Sequence, residues 1–309
     1  MGRPRHLLSI GDLSDSELVD LVRRGCRYAT ATGPPGAPLA DRIVGLYFRK
    51  TSTRTRTAFA SGALRLGAQI VMFGPHDLQE NTGESAQDTG RVLSRMLDAL
   101  VARTTAAPAE MRTYACQPRM AVINAMSADE HPTQALADLT AMLRRFGSIE
   151  GLQVLYVGEG NNTAAALTLA LSRFHGVALH LRTPAGYGLA EDKLEAACLH
   201  ARRSGARIDE RHDLDRLPRE LDVVYTTRWE TTGTTKPDEH WHELFRPFRV
   251  DASLMGRYPA AVFMHDLPAH RGQEVEAAVL DGPASIAFEQ AESKLYSAMS
   301  VLEWCVSGT

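Results

Sequence analysis

Residues 42–66 read RIVGLYFRKTSTRTRTAFASGALRL, and the order of residue types in that stretch sets the fold class. An apolar run at 42–48 leads into a short loop rich in hydroxyls and arginines, then into a helical pattern over about 54–66. A buried strand that feeds a helix is the opening of a βαβ unit. The alternation continues outward. AQIVMF (68–73), ALVAR (99–103) and MAVIN (120–124) read as strands, with helices expected at 85–97 and 107–116 between them. A longer helical pattern over 132–146 stops at Gly147. Upstream, Ser14 and Glu17 have capping-box spacing and open a helix through about Tyr28, followed by the Pro/Gly-rich loop ATGPPGAPLA (31–40).

A second series follows: LQVLYVG (152–158), VALHLR (177–182), LDVVYT (221–226) and AVFMHDL (261–267), with helices at 162–174 and 190–204. Strands alternating with helices predict an α/β protein of two three-layer domains, each around a central parallel sheet. The first domain is expected at 1–146, completed by a C-terminal helix at 288–309, and the second at 147–287. Interdomain helices would join them.

Composition narrows the function. Of 309 residues, 44% are hydrophobic and 23% charged, an ordinary globular balance. The net charge of −3 argues against a broad nucleic-acid surface, though not against a local basic pocket. No run approaches the roughly 18 apolar residues of a membrane span. The N-terminal stretch lacks an apolar signal core, and the four cysteines form no CxxC pair. Reduced thiols in a cytoplasmic protein are expected. Lysine occurs only at 50, 193, 236 and 294, against 34 lysines and arginines together. Arginine abundance alone therefore reads as coding bias.

Three places carry candidate chemistry. Ser52-Thr53-Arg54-Thr55-Arg56 opens a helix, where unpaired N–H groups and the positive dipole end favour an anion. Hydroxyls and an arginine fork make it an anion cradle, although alone it reads equally as a basic N-cap. No GxxxxGK[ST] is present, so it is not a P-loop. His131-Pro132-Thr133-Gln134 follows a strand and opens a helix, a place from which a carbonyl oxygen can be polarised, or simply a helix cap. Arg103 ends an otherwise apolar strand, at the sheet edge where ligands bind or as a structural ion pair. VLYVGEGNN fails as a dinucleotide fingerprint because Thr163 holds the third glycine position. His240 and His242 lack the companions of a metal site.

Together these stretches resemble the aspartate/ornithine carbamoyltransferases. STRTR, Arg103-Thr104 and HPTQALADL (131–139) carry the resemblance. GESAQDTGRVLSRM (83–96), GEGNN (158–162), MHDLPAHRGQEV (264–275) and FEQAESKLYSA (288–298) point to the ornithine branch. The resemblance covers about residues 40–305. It implies carbamoyl transfer from carbamoyl phosphate to an amine acceptor, without metal or organic cofactor. It assigns carbamoyl phosphate to Ser52, Thr53, Arg54, Thr55, Gln79, Arg103, His131, Gln134, Leu267 and Lys294. Arg54, Arg103, His131 and Asp266 would be catalytic. Gln79 would reach a neighbouring subunit's site in a homotrimer, and a cleft between the domains would close over both substrates.

The acceptor side departs from the ornithine branch. Asn161 and Asn162 keep one element. The branch's acidic residue becomes Thr227 and its Ser-Met becomes Thr231-Thr232, with Glu230 a nearby substitute. His-Cys-Leu-Pro becomes His265-Asp266-Leu267-Pro268, whose carboxylate would hold an ammonium or take its proton. Lys294 stands where the branch usually has Arg. These changes lead to an expected acceptor that is a non-standard amino acid or peptide amine. One such setting is the biosynthesis of tuberactinomycin-type peptide antibiotics, where a 2,3-diaminopropionyl side chain is carbamoylated. The alternatives are ornithine carbamoyl transfer for arginine synthesis, or a non-catalytic anion-binding paralogue.

Overall fold

Ile43–Phe48 forms strand β1 because five of its six residues are buried, a run that only a sheet covered on both faces accommodates. The computed structural model describes residues 4–230 and 235–307. They divide into two units, one up to Thr140 together with Glu292 onward, the other Ala141–Ala291. Among the described residues no helix is long and apolar enough to cross a membrane.

The first unit begins with α1 (Asp15–Thr30), capped as its sequence predicts: Glu17 N–H donates to Ser14 Oγ, and Ser14 N–H to the Glu17 carboxylate. After β1 come α2 (Arg54–Arg65), β2 (Gln69–Phe73), α3 (Ala86–Leu93), β3 (Ala99–Arg103), α4 (Pro108–Ala115), β4 (Ala121–Met126) and α5 (Pro132–Phe146). The sheet is parallel, in the order β2-β1-β3-β4. β3 and β4 are wholly buried, whereas the edge strand β2 is half exposed.

The second unit carries β5 (Gln153–Val157), α6 (Asn162–Leu171), β6 (Ala178–Arg182), α7 (Glu191–Ser204), β7 (Arg207–Arg211) and β8 (Val223–Thr226). The short helices α8 (Trp241–Phe245) and α9 (Ala252–Gly256) precede β9 (Val262–His265), and α10 (Ala277–Leu280) follows it. This sheet is also parallel, in the order β7-β6-β5-β8-β9. The last helix, α11 (Ala287–Val306), runs through the 291/292 division, as α5 runs through 140/141.

Strand β7 is absent from the sequence reading. Arg-Ile-Asp-Glu-Arg offers one apolar residue in five, and it survives as a strand because it pairs on one side only, at the sheet edge. Charged side chains are the usual protection of such an edge. Where two strand orders diverge, open α/β sheets leave a crevice at their carboxyl ends. That point lies between β1 and β3 in the first sheet, and between β5 and β8 in the second.

Candidate active site

In the first unit the loop after β1 and the end of β3 meet at the switch point. Phe48 pairs with Arg103, and Arg49 N–H donates to the Arg103 carbonyl at 3.0 Å. The loop enters α2 through Thr53, which places no side-chain cap on the helix. The first amide groups of α2 are therefore not taken up by their own N-cap hydroxyl, as an anion site requires. Ser52 and Arg54 are half-buried, Thr53 is exposed and Thr55 buried. Arg103 is 9% exposed. The β3–β4 register shifts at Ala102/Arg103, and Thr105 takes φ +59°, a left-handed backbone that costs a β-branched residue about 1–3 kcal/mol. The strain lies in the turn that directs Arg103.

β4 leads to the loop that delivers His131. Ser127 N–H donates to the Glu130 carbonyl, and the Glu130 carboxylate accepts from Ser9 Oγ and Ile10 N–H at 2.6 Å each. Glu130 thus ties this loop to the N-terminal segment, a long-range support that no local sequence pattern signals. His131 is 4% exposed, with Thr133 Oγ1 at 3.3 Å from its Nδ1. Burial first, then the charges of Lys294 and Arg103, hold its pKa well below the ordinary 6.5. The ring is therefore neutral at physiological pH, and acts as a hydrogen-bonding dipole rather than a cation.

Lys294 reaches this group from α11 and donates to Gln134 Oε1, while Gln134 Nε2 donates to Asp138 at 2.7 Å. A small cavity is lined by Thr55, Thr133 and Lys294, with Ala58, Phe59 and Ala298. So Thr55, Arg103, His131, Gln134 and Lys294 stand together, drawn from four elements. The Gln134 amide thus links Lys294 to Asp138. Asp138, four residues after Gln134 on one helix face, is the partner that spacing alone could have suggested. Gln79 is outside the group: it sits exposed on a 3-10 turn, and its side-chain oxygen accepts from Thr82 at 2.8 Å.

The second unit gathers the acceptor candidates. Asn161 caps α6, accepting from Thr163 and Ala164 N–H, and Asn162 is buried beside it. Thr227 is 2% exposed and donates to the Asp266 carboxylate at 2.9 Å. Thr163, read from the sequence only as a missing glycine, donates to the same carboxylate at 3.0 Å. Glu230 does not join them: its carboxylate is half exposed and pairs with Arg228 at 3.2 Å. Thr231 and Thr232 lie outside the described residues. Leu267, at φ +51°, turns its N–H onto His265 Nδ1 at 2.8 Å.

Comparison with known proteins agrees along nearly the whole length. The domain family described as aspartate/ornithine carbamoyltransferase, carbamoyl-P binding domain matches residues 5–144, and its Asp/Orn binding domain matches residues 150–305. The anabolic ornithine carbamoyltransferase of Pseudomonas aeruginosa is 37% identical over 97% of this chain and 96% of its own. The solved ornithine carbamoyltransferase of Pyrococcus furiosus superposes with a TM-score of 0.92 at 35% identity, covering 99% of this chain and 98% of that one. That of Gloeobacter violaceus gives 0.87 at 32% identity, covering 99% and 100%.

Proposed function

The chain belongs to the aspartate/ornithine carbamoyltransferase family, and on that premise we propose that it carries the carbamoyl group of carbamoyl phosphate to the side-chain amine of ornithine. It is a carbamoyltransferase with a carbamoyl phosphate-binding domain and an amino acid-binding domain. The observation that carries the ornithine reading is that these relatives, matched over almost all of both chains, are ornithine carbamoyltransferases. That favours ornithine over the peptide-antibiotic acceptor expected from Thr227 and Asp266. None of these three relatives' names supports a specialised antibiotic paralogue.

The chemistry follows from the donor group. The phosphate of carbamoyl phosphate lies against the α2 N-terminus, with the hydroxyls of Ser52, Thr53 and Thr55 and the fork of Arg54. Arg103 and His131 face the carbonyl oxygen, where negative charge builds as the amine attacks. A neutral His131 donates one N–H there without repelling its cationic neighbours. The C–N bond forms, the C–O bond to phosphate breaks, and the departing phosphate takes the amine proton. Lys294, held by Gln134, adds a point charge near the donor. Asn162 serves the acceptor.

A homotrimer with Gln79 lent to a neighbouring site belongs to the same proposal. Edge strand β2 exposes Val71 and Met72, and Val92 and Met96 are exposed on and just after α3. Light scattering should give a mass of three 33.8 kDa chains; a monomer at micromolar concentration contradicts it. The acceptor is tested in a bacterial strain lacking its own ornithine carbamoyltransferase. Growth without arginine is expected, and failure despite folded protein in the cell overturns the ornithine reading.

A further inference from the structure

Asp266 directly follows β9, and its carboxylate is held by two hydroxyls. Thr163 Oγ1 donates to Oδ2 at 3.0 Å, and Thr227 Oγ1 donates to Oδ1 at 2.9 Å. The three residues come from three segments, after β5, after β8 and after β9. β5 and β8 are the neighbours between which the strand order reverses, so the cluster sits where such a sheet binds ligands. The Asp266 side chain is 14% exposed, and both threonines are nearly fully buried.

A carboxylate with this little access to water favours a cation beside it. The nearest ring nitrogen, His265 Nδ1, stands at 3.5 Å. It does not supply one. Leu267 N–H donates to that nitrogen at 2.8 Å, so it carries the lone pair. The ring proton is then on Nε2, facing Glu274 Oε1 at 3.2 Å. Among the described residues no lysine or arginine pairs with Asp266. Hydroxyl donors orient a carboxylate without neutralising it. Two of its roughly four lone-pair sites stay open with the full negative charge behind them.

We propose that Asp266 is the anchor for an ammonium group of the acceptor, and that Thr163 and Thr227 are positioning residues that aim it. This rests on the carbamoyltransferase reading with an amino-acid acceptor. The anchored group is the ammonium that does not react. A carboxylate stabilises the protonated form of its partner, which would disarm an attacking amine but suits a fixed α-ammonium. An α-amino acid with a second, neutral amine further along its chain, the acceptor class of the proposed function, fits this arrangement.

The test compares L-ornithine with 5-aminopentanoate, which keeps the reacting amine and lacks the α-ammonium. Transfer from carbamoyl phosphate is measured for wild type, Asp266→Asn, Thr163→Val and Thr227→Val. A charge-assisted contact predicts a wild-type preference for ornithine of about ten- to hundredfold in kcat/KM. Asp266→Asn should collapse that preference below threefold while KM for carbamoyl phosphate stays within threefold. The threonine variants should fall between, and they carry the test if Asp266→Asn does not fold. Adding Thr227→Asp to Asp266→Asn restores a carboxylate just past the adjacent strand β8 and should recover part of the preference. A preference unchanged in Asp266→Asn overturns the anchor. Wild-type transfer to a different amine and not to ornithine overturns the ornithine reading instead, and the same comparison is then made with that amine and its deamino analogue. No transfer to any amine overturns both.

Discussion

His131 is neutral before any substrate arrives, because burial and two flanking cations all oppose its protonation. The consequence for stability has a definite sign. The folded pKa lies below the unfolded value of 6.5, so the folded chain resists a proton that the unfolded chain accepts. The contribution is fully present above pH 6.5 and is lost as pH falls below it, toward the lower folded value, at up to about 1.4 kcal/mol per pH unit. Urea unfolding at pH 7 and 5.5 should show wild type losing more stability than His131→Asn. Equal losses contradict the assignment. Arg54→Ala should lower kcat/KM by about 2.7–4 kcal/mol, roughly a hundred- to thousandfold, if its fork meets the developing charge. A change under tenfold in steady-state assays removes it from that role. At this scale Ser52–Thr55, Arg103, His131 and Gln134 stood out as candidates because each lies beside a strand end or helix start, whereas Gln79, Leu267 and Lys294 were named only through the family resemblance. The Asp266 cluster was only half legible. Thr163, Thr227 and Asp266 are spread over about a hundred residues of sequence, so Thr227 read as a lost acid and Thr163 as a lost glycine until the fold joined them.

Elements show why the motifs hold their shapes. The GEGNN turn between β5 and α6 needs its glycines for packing. Gly158 takes φ +135°, and a Cβ on Gly160 would stand 2.3 Å from the Gly188 carbonyl carbon. Backbone faces backbone there, so Gly160→Ala should destabilise the protein by about 1–3 kcal/mol or more, read as a lower urea midpoint. An unchanged midpoint would show that the turn can open. The loop after β8 is fastened by Lys236, whose ammonium meets Glu159 at 2.5 Å and lies 4.5–5.1 Å from the rings of Phe245, Tyr187 and Trp241. Its side chain is 4% exposed. Lys236→Met leaves Glu159 without that cation and should cost about 3–5 kcal/mol in denaturant unfolding; a cost below 1 kcal/mol contradicts a buried latch. Helix and strand positions were largely legible from period and caps, as Ser14 and Glu17 illustrate. β7 was not, because an edge strand selected for charge has no apolar signature.

Across the whole molecule, two parallel sheets each present a switch point, one beneath the anion cradle and one beneath Asp266. Alternation of strand and helix made that plan readable, whereas strand order within each sheet depends on long-range pairing that no local pattern encodes. A folded donor site that awaits an anion should also be stabilised by one. Inorganic phosphate at about 100 times its Kd should add about 2.7 kcal/mol, visible as a raised Tm, and Arg54→Ala should blunt the shift. The most direct measurement of the reaction is mass-resolved product formation by purified protein from carbamoyl phosphate, with L-ornithine and a 2,3-diaminopropionyl peptide in competition. Citrulline should be the dominant product, with phosphate released in equal amount. Carbamoylated peptide with no citrulline would contradict the ornithine reading.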